Sequence, residues 1–144
     1  MDRHQTADQL IDLFHQLKKN LIRYAANHLK LKISPMQLHV LFSLQGKEVF
    51  TMTELANVVM ISKQQLTPLV DKLVGAGLAL RQQDADDRRV VKIRLSPAGK
   101  TFLVDHMQDV IRVWDTKLAV LSADDLQRLG TALTELHQLL RKLP

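Results

Sequence analysis

Two short stretches hold the residues best suited to chemistry. The first is DADDRR, residues 84–89, where three acids precede the adjacent pair Arg88 and Arg89. Two guanidinium groups on a polar turn suit a negatively charged partner, and a neighbouring carboxylate can hold one of them in a bidentate pair. The second is SKQQLTP, residues 62–68. It presents a hydroxyl, a cation and two amides on what the apolar spacing marks as the start of a helix. Gln can bond the edge of adenine bidentately, Thr can meet a base edge, a thymine methyl or a phosphate, and Pro offers an apolar surface to a thymine methyl. Ser62 and Lys63, at a helix start, suit phosphate. Together these groups point to binding double-stranded DNA, not to catalysis.

Composition agrees. The chain of 144 residues carries a formal charge of +5 and no cysteine. The absence of thiols excludes disulfides, thiol catalysis and thiolate zinc sites. Lys and Arg outnumber Asp and Glu by seven to five over residues 1–61 and by eight to four over 62–101, and are outnumbered five to six over 102–144. The positive excess therefore lies mainly in the middle third, as expected of an electrostatic footprint for a polyanion. The sequence contains no glycine-rich phosphate loop, no G-x-S-x-G motif and no paired carboxylates in a plausible cleft, so an enzyme is not expected. No apolar run is long enough to cross a bilayer, and the N-terminal residues lack an apolar signal core, so the expected location is cytoplasmic.

The elements that must position these residues follow from periodicity. Leu10, Leu13, Phe14, Leu17, Leu21, Tyr24 and His28 recur at helical spacing, predicting a first helix from about Thr6 to Leu29. Ser34–Pro35 opens a second helix to about Leu44, with Gly46 as its stop. Thr53 is expected to cap a third, short helix. Ser62 caps the fourth, with Gln65 at the reciprocal capping-box position, and that helix should end near Gly75–Gly77. Its inner face is Leu66, Leu69, Val70 and Leu73, which places Gln64, Pro68 and Asp71 on the opposite face. Pro68 removes a backbone donor within this helix, so the reading is one helix over about 63–75, bent or loosened near 64–68.

Beyond Gly77 the period changes to two. LALRQQ and VVKIRL alternate, predicting a β-hairpin with DADDRR at its tip and with Lys92 and Arg94 on its outer face. Ser96–Pro97 opens a long helix to about Leu118, and Ser122 a last one through Leu126, Leu129, Leu133, Leu136, Leu140 and Leu143. The fold class is mainly α with a small β-hairpin wing: a winged helix-turn-helix over 34–96, flanked by helical dimerisation regions over 1–33 and 97–144. Long terminal helices with leucine stripes need a further surface, most simply a second copy of the chain.

The stretches SPMQLHVLFSL, TELANVVMISKQQLTPLVDKLVGAGL, DADDRRVVKIRLSPAGK and LSADDLQRL together resemble the MarR family of bacterial transcription regulators. The resemblance runs from about residue 10 to 142. It implies an obligate homodimer on a palindromic operator, with the terminal helices as interface. It also implies a small anionic or phenolic effector bound between the dimer helices and the DNA-binding lobe. Carried over by position, Asp87 and Arg89 form the wing pair, Arg88 is a further wing contact, and Ser62, Lys63, Gln64, Gln65 and Thr67 lie on the reading edge; Lys92, by its alternation on the exposed hairpin face, is placed for DNA backbone contacts. Pro68 departs from the family pattern, where a polar or basic residue often stands.

Tyr24, His28, His39, Phe50 and Met107 are the candidate effector pocket, with ordinary packing as the competing reading. His39 and His106, beside Asp105 or Asp109, are the only residues that suggest a metal-responsive regulator; without an HxxxH pair or a cysteine, no metal and no cofactor is expected. A winged-helix module that holds a protein partner without reading DNA is the other alternative, opposed by the wing arginines and the basic middle third.

Overall fold

A computed structural model of the chain describes residues 1–19, 23 and 32–144. Among these are six α-helices and one three-stranded antiparallel sheet. The helices are α1 (Arg3–Leu17), α2 (Pro35–Ser43), α3 (Met52–Val59), α4 (Lys63–Gly75), α5 (Pro97–Leu118) and α6 (Ala123–Leu140). The strands are β1 (Phe50–Thr51), β2 (Ala79–Gln83) and β3 (Val91–Leu95), in the order β1-β3-β2. The chain divides into two compact units, residues 30–108 and residues 1–29 with 109–144.

The unit over 30–108 is built around one core. Leu41, Leu55, Leu66, Val70, Leu73 and Ile93 are fully buried within it, so α2, α3, α4 and the sheet share a single apolar centre. Leu103 of α5 joins it. Leu69, expected inward, is half-buried at its edge. Each helix of this unit starts where a side chain can satisfy the free N–H groups of the first turn. Ser34 and Gln37 form a reciprocal capping box on α2, and Ser62 and Gln65 do so on α4.

The start of α3 differs from expectation. Its N-cap is Thr51, not Thr53, because Glu54 stands three residues after Thr51 and returns a bond to its backbone. The stretch T-M-T-E offers two threonines, and only the first has a carboxylate at the reciprocal position. The first helix likewise starts earlier than expected, at Arg3, since Asp2 and Gln5 form a capping box there. The expected continuation to Leu29 lies outside the described residues.

The turn between α3 and α4 is a second point of local chemistry. Met60 has φ 63° and ψ 41°, the left-handed conformation. The Ile61 N–H reaches back to the Ala56 carbonyl at 3.1 Å and the Met60 N–H to that of Asn57 at 3.3 Å, the two bonds of a Schellman motif. The same motif closes α4, with Leu78 N–H on the Leu73 carbonyl at 2.9 Å, Gly77 N–H on that of Val74 at 3.0 Å, and Gly77 at φ 74°. Between these ends α4 keeps α-helical geometry from residue 63 to 75, including the turn 64–68 that had been expected to loosen. Pro68 is exposed and does not break the helix.

The hairpin pairs Ala79 with Leu95 and Gln83 with Val91, in the alternation read from the sequence. The third strand was not anticipated: Phe50 and Thr51 pair with Ile93 and Lys92. Two residues are too few to carry a period, so only the core position of Phe50 reveals the strand.

The base of the hairpin is closed by Ser96. Its hydroxyl donates to the Gly77 carbonyl at 2.5 Å and accepts from the Gly99 N–H at 2.9 Å, while its own N–H bonds the Leu78 carbonyl at 3.2 Å. Gly99 sits so close to this junction that an added Cβ would stand 2.0 Å from the Leu78 carbonyl oxygen.

In the other unit, α1 and α6 contain no buried residue. Ile11, Phe14, Leu126, Leu133 and Leu139 are all exposed large apolar residues. Thr6, Leu10, Leu13 and Leu136 line one shallow groove. Among the described residues, no helix is long and apolar enough to cross a membrane.

Two substitutions test the Ser96 junction. Ser96→Ala leaves the Gly77 carbonyl and Gly99 N–H without their partner and should lower unfolding free energy by about 1–3 kcal/mol in urea titration. Gly99→Ala must displace backbone and should lower it by at least a similar amount, of order 1–3 kcal/mol or more. Unchanged midpoints for both would show that the junction does not hold the hairpin.

Candidate nucleic-acid interface

The wing tip is a self-folded turn. The Asp84 N–H bonds the Val90 carbonyl at 2.9 Å, and the Val90 N–H bonds that of Asp87 at 3.0 Å. Within it Asp87 holds Arg89 three times. Its Oδ1 accepts from the Arg89 backbone N–H at 3.0 Å and from Nε at 3.1 Å, and its Oδ2 accepts from Nη2 at 3.3 Å. The guanidinium is thereby oriented, yet the Arg89 side chain stays 92% exposed. An exposed, pre-oriented guanidinium suits insertion into the narrow, strongly negative minor groove of A/T-rich DNA. Arg88 is exposed beside it.

Lys92 lies on β3 with its side chain partly exposed. Its Nζ pairs with Asp84 Oδ1 at 2.9 Å, which ties the strand to the tip of the wing. Two carboxylates at the tip are thus held charged. The Lys92 ammonium and then its field hold the Asp84 carboxyl below its ordinary value, against the opposing effect of desolvation. The Arg89 guanidinium and backbone N–H do the same for Asp87.

The recognition helix α4 lies across from the tip. Ser62, Lys63, Gln64, Gln65, Thr67 and Pro68 are all exposed. Lys63 and Thr67 line a groove of about 390 Å³ together with Arg89, Val90 and Val91 of the wing and with Thr51, Met52 and Thr53. The structure therefore brings the two sequence stretches to one surface. Sequence reasoning missed two parts of it. Asp71 of α4 pairs with Arg81 of β2 at 2.8 Å, a tie between reading helix and wing. The three residues 51–53 also line the groove, at the start of α3 that the unforeseen capping box at Thr51 sets. The T-x-x-E signature was the available signal for the second; for the first, the Asp and Arg lie on different elements with no local cue.

The candidate effector residues are scattered among different environments. Phe50 is buried in the core on β1, with the Lys47 ammonium 5.0 Å from its ring centroid. His39 on α2 is exposed, as is Met107 on α5. Tyr24 and His28 lie outside the described residues. His106 is buried, edge-on to Phe42 at 6.0 Å and stacked on Phe102 at 6.4 Å between centroids. Asp105 is exposed, and Asp109 pairs with Arg112. Among the described residues, no group of three or more histidines and carboxylates is placed to hold a metal ion.

A tri-helical core with a reading helix and a charged two-stranded wing defines a winged helix-turn-helix protein. Residues 33–91 match the MarR family model. Two solved structures are similar over nearly the full chain. One is a MarR family protein from Bacillus stearothermophilus, 26% identical, covering 99% of this chain and 100% of that one, with a TM-score of 0.75. The other is wild-type MarR from E. coli in its apo form, 26% identical, covering 88% and 95%, with a TM-score of 0.74. An HTH-type transcriptional regulator of Bacillus subtilis, YhjH, is 32% identical over 71 residues, a match spanning 49% of this chain and 41% of that protein. Residues 33–91 therefore carry a MarR family domain, and the fold over nearly the full chain is that of the MarR structures. Members of this family are transcription regulators, not enzymes.

The lowered carboxyl of Asp87 makes a pH prediction. A depressed value in the folded state contributes stability that is present above the ordinary aspartate value of about 3.9 and is lost as pH falls through the lower, folded value. The wing clamp should therefore be constant from neutral pH down to about pH 5. Carboxyl-detected NMR titration should place Asp87 below the ordinary value in the native chain and return it towards that value in Arg89→Ala.

Proposed function

We propose that the protein is a homodimeric DNA-binding transcription regulator that represses from a palindromic operator and releases it when a small anionic or phenolic effector binds. The observation that carries the DNA reading is the shared groove: Lys63 and Thr67 of the reading helix line it together with the wing's exposed, Asp87-oriented Arg89. The helix suits a major groove, and the wing arginine the adjoining minor groove. Such a protein works where DNA is, in the bacterial cytoplasm.

The homodimer reading rests on the terminal helices. Phe14 and Leu133 are among the large apolar residues that α1 and α6 leave exposed in the single chain. A second copy would cover such stripes and set two reading helices about one duplex turn apart, near ~34 Å. An effector that favours a differently spaced dimer would then shift the population away from the DNA-competent form.

Fluorescence anisotropy with the chain's own upstream DNA tests the first part. Specific, salt-sensitive binding is expected, and Arg89→Ala should weaken it by about ten- to a hundredfold while leaving the dimer intact. Absence of specific binding at moderate salt would sink the reading. For the second part, sedimentation should give a dimer that Phe14→Asp with Leu133→Asp converts to monomer; a monomeric native chain would refute it.

A further inference from the structure

The recognition face carries more polar atoms than are free to read bases, because several are bonded to each other. Gln65 Oε1 accepts from the Ser62 N–H at 3.1 Å and from the Ser62 hydroxyl at 3.3 Å, and Ser62 Oγ accepts from the Gln65 N–H at 3.1 Å. The hydroxyl proton of Ser62 and the carbonyl oxygen of Gln65 are thus used within the helix cap. Gln65 keeps only its NH₂ donors. It cannot offer the donor–acceptor pair that the adenine edge requires, and its donors suit a phosphate.

Thr67 is committed in a different sense. Its hydroxyl donates to the Lys63 carbonyl at 2.8 Å, the step back of four residues that helical threonines make. To the outside it presents its γ-methyl and an oxygen that accepts. Pro68, one residue on and exposed, presents only the apolar ring and has no N–H. Gln64 stands one turn before Pro68 on the same exposed face, and among the described residues its side-chain amide makes no hydrogen bond within the chain, so both its donor and its acceptor are open.

Apart from the Lys63 ammonium and the accepting oxygen of Thr67, the outward chemistry is therefore one complete amide flanked by apolar surface. In the major groove only adenine offers the N6 donor beside the N7 acceptor that a side-chain amide matches, and only thymine carries a 5-methyl group. We propose that the reading helix selects A·T pairs at the centre of each half-site. Gln64 takes the adenine N6 and N7 edge, the Thr67 methyl and the Pro68 ring cover neighbouring thymine methyls, and Ser62 and Gln65 read no base. This deepens the DNA-binding reading above and rests on it.

The test is selection from randomised half-sites by the full-length protein, followed by anisotropy on the selected duplex with single thymines replaced by uracil. A·T pairs should be enriched at adjacent central positions. Removing a contacted thymine methyl should weaken binding about fourfold, the equivalent of one buried CH₂ group. Pro68→Ala, on an exposed helix face where alanine is well tolerated, should shrink the uracil effect at one thymine and leave affinity for the uracil duplex nearly unchanged. Gln64→Ala should abolish the adenine preference. Gln65→Ala should lower the melting temperature through the lost cap but keep the base preference. Enrichment of G·C at the centre, a uracil exchange without effect at every thymine, or loss of base preference in Gln65→Ala overturns the proposal. If the protein binds all duplexes equally, only this assignment fails; if it binds no DNA even at low salt, the DNA-binding reading fails with it.

Discussion

The structure of the DNA-binding lobe depends on how the wing is joined to the end of the reading helix. That join is one hydroxyl. Ser96 lies at the end of the hairpin and at the start of α5, and its oxygen bridges the Gly77 carbonyl to the Gly99 N–H. Gly77 is where α4 stops, in the left-handed conformation that a Schellman motif demands. One buried side chain therefore fixes the exit of the reading helix, both feet of the wing and the first turn of α5. The pleat then propagates this position along two five-residue strands to the tip. A displacement at the base would carry Arg89 away from Lys63 and Thr67.

Two surface ion pairs refine that placement without creating it. Asp71 to Arg81 links helix to strand near the base, and Lys92 to Asp84 links strand to tip. Exposed pairs of this kind contribute little to stability, roughly 0–1 kcal/mol each. Their effect is to limit which cations can turn outward. Lys92 and Arg81 are engaged with carboxylates of the chain, whereas Arg89 is both held and exposed. The positive excess of the middle third is thus sorted by its acidic neighbours into structural and outward-facing charge.

Most of this lobe was legible in the sequence because its signals are local. Ser34 and Ser62 each cap the helix they were expected to cap, as Ser122 does in the other unit, and the hairpin register follows its alternation. The failures are equally physical. The spacing of the apolar residues points to Thr53 as the cap of α3, whereas the reciprocal bond with Glu54 is open only to Thr51 and moves the start two residues earlier. The strand at Phe50 and Thr51 is shorter than one alternation. The loosening expected at Pro68 did not follow, since α4 holds its geometry on the inner face through Leu66, Val70 and Leu73, all fully buried. Of the reading surface, residue types suggest contacts, but only the folded helix fixes which polar atoms are already bonded within it.

The close approach at Gly99 has one more consequence. With backbone oxygen where a Cβ would be, this position admits hydrogen alone, and it lies outside the hairpin proper. The heritable unit of the wing is therefore not the two strands and their turn. It is the whole span from Gly77 to Gly99, which must be exchanged in one piece if wings are to be swapped between relatives. Chimeras cut at the strand ends would part the strands from the Gly77–Ser96–Gly99 junction that seats them, setting a foreign Leu95 against Gly99, and import a tip with no fixed bearing on the reading helix.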